Sequence, residues 1–94
     1  MSDTLEELRN FTYQGKSIPA YMYDGIVRYV DDHVIPGDFL KAIISDNLKA
    51  AIAHADDTNI WLLPVYVMFF YNYTPAACQG SQQAMISWIN NASD

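Results

Sequence analysis

A chain of 94 residues and 10.7 kDa is the length of one domain around one hydrophobic core. Its composition, 51% hydrophobic and 14% aromatic against 17% charged, excludes a disordered chain, in which apolar residues are scarce. Eleven acidic against five basic residues leave a net charge of −6, a field that repels phosphate backbones and excludes a general nucleic-acid binder.

The elements follow from punctuation and periodicity. Thr4-Leu5-Glu6-Glu7 has the form of a capping box and predicts a short N-terminal helix. Phe11-Thr12-Tyr13, the turn pair Gln14-Gly15 and Lys16-Ser17-Ile18 predict a small hairpin or extended β arm. Ser17 as a cap and Pro19 in a first turn, followed by Met22, Ile26, Val30 and His33 at helical spacing, predict a helix over residues 18–33. Pro36-Gly37-Asp38 starts a second helix with its apolar stripe on Phe39, Leu40, Ile43 and Ile44. Ser45-Asp46-Asn47 predicts a kink or a split, before the stripe resumes at Leu48, Ala51, Ile52 and Ala55.

Asp56-Asp57-Thr58-Asn59 is a run of capping residues ahead of the most apolar stretch, residues 60–71. Pro64 within that stretch requires either a kink or a helix start near Leu62 with the proline in the first turn. A segment apolar on every side is a buried central helix or one that also meets a second subunit, so a homo-oligomer is expected; its β-branched and aromatic residues would also suit a buried strand, which periodicity alone does not exclude. Ser81 caps a last amphipathic helix carrying Met85, Ile86, Trp88 and Ile89. The expected fold is all-α, four or five short helices in a single domain, with an arm over residues 1–17, a helical core over 18–89 and a polar tail over 90–94.

Catalytic signals are thin. Cys78 is the single cysteine and has no sequence context that activates a thiol; His54 with Asp56 and Asp57 could start a metal site, but the acidic pair already has a sufficient role as a helix cap. No enzyme, cofactor or metal is expected, a small enzyme using Cys78 or His54 being the last-ranked alternative. Asp3, Glu6 and Glu7 stand where an export signal needs a basic start, and residues 60–71 fall short of the roughly 20 that cross a bilayer. The expected location is the cytoplasm, without membrane attachment.

Binding signals are richer. Tyr21, Gly25 and Arg28 fall opposite the Met22/Ile26/Val30 stripe, with Tyr29 on its flank, and a glycine inside a helix points to close approach by a backbone or a ligand. Tyr71 and Tyr73 add phenols suited to flat, hydrogen-bonding ligands, and Lys16 adds a cation for a phosphate.

The series Ile18-Pro19, Met22, Asp24-Gly25-Ile26, Arg28-Tyr29, Pro36-Gly37-Asp38-Phe39-Leu40, Asp46-Asn47-Leu48, Ala55-Asp56-Asp57-Thr58-Asn59, Tyr71-Asn72, Pro75 and Gly80-Ser81 resembles a family of small proteins encoded in bacteriophages and prophages, over residues 18–89. Ile60 stands where related sequences tend to carry arginine, and Pro64 where they usually carry another residue. The resemblance implies an accessory protein of a host cell's cytoplasm that counters host defence by binding, as a sponge for a nucleotide-derived signal or as an acidic inhibitor of a host defence protein. The expected ligand site is then Tyr21, Gly25, Arg28, Tyr29, Tyr71, Tyr73 and Lys16, with aromatic rings on a base and cations on phosphate.

Overall fold

Capping residues and prolines decide where the helices of this chain start and stop. The computed structural model describes residues 3–91; the end of the polar tail lies outside the described residues. The domain is all-α, with six α-helices joined by short loops and 3-10 turns, and no strand among the described residues. Helix α1 spans Asp3–Asn10. Thr4 lies inside its first turn instead of capping it, and its hydroxyl donates to Asp31 Oδ1 at 2.8 Å, so the expected capping box is replaced by a tie to the next helix.

The β arm reduces to one bridge. The backbones of Tyr13 and Lys16 exchange two hydrogen bonds, 2.8 and 3.0 Å, around Gln14 and Gly15, both at positive φ as a tight primed turn requires. Phe11 anchors this arm edge-on against Phe69 and Tyr73, at centroid distances of 5.5 and 5.4 Å.

Helix α2, Tyr23–Asp32, starts later than the periodicity predicts. Ile18 is buried in extended chain, Pro19 keeps an extended ψ of 143°, and a 3-10 turn over Ala20–Met22 leads into the helix. Ser17 therefore caps nothing. His33 closes α2 in the left-handed conformation, its ring tilted by 31° over Trp88 at a centroid distance of 4.3 Å, with Nδ1–H donating to the Trp88 carbonyl at 2.7 Å. Trp88 Nε1–H returns a bond to the Tyr29 carbonyl, strapping the last helix to α2.

Helices α3, Asp38–Ile44, and α4, Leu48–His54, are the predicted split. Asp46 turns the chain at a φ of 61°, and Asn47 Oδ1 accepts from the Ala50 amide to start α4. Helix α5, Leu63–Tyr73, takes Pro64 into its first turn, where no intrahelical bond is lost. It buries Val65, Tyr66, Phe69 and Phe70, a helical spacing that a strand would not give. Helix α6, Gln82–Asn90, is capped as predicted by Ser81, whose Oγ accepts from the Ala84 amide. Helix α5 packs against α1 and α3, and one apolar cluster runs from Leu8 through Ile26, Ile44 and Phe69 to Met85.

Candidate functional site

The loop between α4 and α5 positions side chains on two sides of the molecule. Asp56 Oδ1 accepts from the amides of Thr58 and Asn59, at 3.1 and 2.6 Å, while Oδ2 accepts from the Tyr21 hydroxyl at 2.7 Å. The Asn59 amide, and after it the Tyr21 hydroxyl, hold the Asp56 carboxyl below its ordinary range; the bond to that carboxylate pushes the Tyr21 phenol up. Asn59 is buried, and its Oδ1 accepts from the Tyr66 hydroxyl at 2.6 Å deep in the core, where burial pushes the Tyr66 phenol up. The turn is thus pinned from both ends. Trp61 leaves it pointing outward, 75% exposed.

Trp61 lines a depression of about 290 Å³ with Tyr13, Gln14, Lys16, Pro64 and Val65. The primed turn presents Lys16 there, exposed and without an ion pair among the described residues. Among the described residues no carboxylate lines this depression. It offers an indole and a phenol for stacking, an amide for hydrogen bonding and a cation for an anion. Of these residues only Lys16 belongs to the ligand site expected from the sequence. Trp61 carried a signal all the same, since it precedes the proline that starts α5 and so falls outside that helix's buried stripe.

Two of the expected site residues meet elsewhere. Tyr21 and Gly25 line a second depression, about 320 Å³, with Met22, Gly37, Asp38, Phe39 and Leu40. Asp38 lies in its wall and Asp56 holds its tyrosine, so the surroundings are acidic. Arg28 does not line it and pairs with Asp24 at 3.6 Å; Lys41 pairs with Asp38 at 3.3 Å. A Cβ at Gly25 would meet Leu40 Cδ1 at 3.4 Å, an ordinary contact, so no backbone approaches closely enough to require the glycine.

Tyr29 corrects the expectation most clearly. The ring is 0% exposed and its hydroxyl donates to the Cys78 carbonyl at 2.6 Å, so it is a core residue and offers no surface to a ligand. The α2 stripe is wide enough to take in Tyr29 beside Ile26 and Val30. Tyr73 stacks on Phe69, and Tyr71 stands exposed on the last turns of α5; neither lines the two depressions above.

Cys78 is fully buried and burial pushes its thiol up, away from the thiolate that nucleophilic attack requires. His54 is exposed and lines a polar depression with Asp38, Lys41 and Gln82, apart from Cys78. Among the described residues no group of three or more His, Cys, Asp or Glu is placed to hold a metal. No helix among them is long and apolar enough to cross a membrane. Compared with known protein families, curated proteins and solved structures, the chain has no match in any of the three.

Proposed function

We propose that this chain is a non-enzymatic accessory protein that sequesters a planar, anionic small molecule of the nucleotide class. The observation that carries the reading is the Trp61 depression, which combines the exposed indole and the half-buried Tyr13 ring with Lys16, a cation without an ion pair among the described residues, none of which brings a carboxylate into the wall. Stacking a base on an aromatic side chain contributes about 1–3 kcal/mol. A charge-assisted bond from Lys16 contributes about 1.5–3 kcal/mol more. The resemblance to phage-encoded proteins supplies the context, a signal of host defence held away from its receptor in the host cytoplasm.

The acidic surroundings of Tyr21 and Gly25 favour a second reading, an inhibitor that takes a basic group of a host defence protein against Asp38 and Asp56. Isothermal titration with cyclic mononucleotides and cyclic dinucleotides separates the two. Trp61→Ala and Lys16→Ala are each expected to weaken binding about ten- to a hundred-fold, with Arg28→Ala unchanged. Absence of heat with every nucleotide, together with loss of phage protection in Asp38→Lys alone, would transfer the assignment to the protein-binding reading.

A further inference from the structure

Helices α4 and α5 leave an apolar groove between them, with Ala51 and Leu63 in its wall and Leu48 and Val67 on its rims, the last two 65% and 48% exposed. Ile52, one turn beyond Leu48, extends the apolar surface and is 49% exposed. The cavity is about 180 Å³. Sites for drug-sized ligands run from roughly 300 to 1,000 Å³, so this one has the size for an inserted side chain.

We propose that a second copy of this chain covers the groove in a two-fold dimer, each Leu48 entering the groove of the other. The charges on the surface select this occupant. Asp46 lines the groove and Lys49 stands three residues on, both exposed and neither with an ion pair among the described residues. In a two-fold interface residue i meets residue j of the partner and j meets i. A two-fold axis beside Leu48 brings each Asp46, in the turn that precedes α4, towards the partner's Lys49 in the first turn of that helix, giving two ion pairs from one Asp and one Lys. The face is also net neutral, so two copies of a chain carrying −6 meet there without opposing their excess carboxylates. The inference is independent of what the Trp61 depression holds.

Sedimentation equilibrium across micromolar concentrations tests it, with a mass of about twice 10.7 kDa expected for the natural sequence. Val67→Asp, at an exposed position, should give the single-chain mass with an unchanged circular dichroism spectrum. Asp46→Lys and Lys49→Asp should each weaken association about ten-fold, and the double exchange should restore it. Restoration cannot come from backbone strain at the left-handed Asp46, which the exchange at Lys49 does not relieve. A single-chain mass at every concentration, a dimer that survives Val67→Asp, or a double exchange no tighter than the singles would each overturn the proposal.

Discussion

Two depressions on this molecule are each walled by tyrosine and apolar side chains, and the loop between α4 and α5 contributes to both surroundings. On one side Asp56 grips Tyr21 beside Asp38, and the nearby cations Arg28 and Lys41 are already paired. On the other, Trp61 and Tyr13 flank a lysine, with no carboxylate among the described residues of the wall. Aromatic rings with a glycine nearby do not by themselves define a nucleotide site. The sign of the local charge separates the two surfaces, and in a chain of −6 an anion is suited by a region where a cation stands clear of the acids.

The strongest way to break this contrast is to remove the ring on which the arm rests. Phe69 is 0% exposed and contacts Phe11 and Tyr73. Phe69→Ala should destabilise the domain by about 3–5 kcal/mol in a thermal melt. In the same variant, hydrogen exchange at the Tyr13 and Lys16 amides should accelerate more than at Met22. Equal acceleration at all three would mean that the arm is not held by this stack.

Tyr66→Phe acts on the loop that the two surfaces share. It leaves the buried Asn59 Oδ1 without its donor, at a cost of about 1–3 kcal/mol in denaturant unfolding. It should weaken nucleotide binding at Trp61 and release Tyr21 together, whereas a change on one side alone would show that the sides are anchored separately.

The pH dependence has a sign on each limb. Asp56 titrates below its ordinary 3.8 in the folded chain, so its contribution is present above that value and is lost as pH falls through the folded one. Tyr29 and Tyr66 titrate above their ordinary 10.0, so their contribution is present below pH 10 and is lost as pH rises towards their folded values. Denaturation midpoints measured against pH should fall on both limbs, and Tyr66→Phe should flatten the alkaline one. An alkaline limb identical in that variant would remove Tyr66 from the account.

The smallest effect sharpens the comparison from the other side. Gly25→Ala adds a Cβ in ordinary contact with Leu40 and gains helix propensity, so it should stabilise by up to about 1 kcal/mol. Nucleotide affinity should not change. A large loss of affinity would return the ligand to the Tyr21 depression.

The all-α fold and most of its boundaries were legible because they rest on local chemistry. Ser81 caps α6, Pro64 enters α5 in its first turn, and Ser45-Asp46-Asn47 breaks one stripe into α3 and α4, all within a few residues of the boundary they set. Boundaries that depend on distant partners were not. Thr4 was drawn to Asp31, 27 residues away, and the burial of Ile18 delayed α2. The site suffered most from this limit. Tyr21 meets Asp56 across 35 residues and Tyr29 meets Cys78 across 49, contacts that no periodicity encodes.

What the sequence determined by itself was a small acidic helical domain rich in tyrosine, with helix ends marked by serine, asparagine, proline and glycine. Only the tertiary structure decided which aromatics face water and which charges stand beside them, placing Tyr29 in the core and Trp61 outside, with Lys16 beside it and without an ion pair among the described residues, and Arg28 paired. The reason is physical. A helix start depends on a cap and a few backbone bonds within one turn, whereas the environment of a side chain depends on what the rest of the chain brings against it.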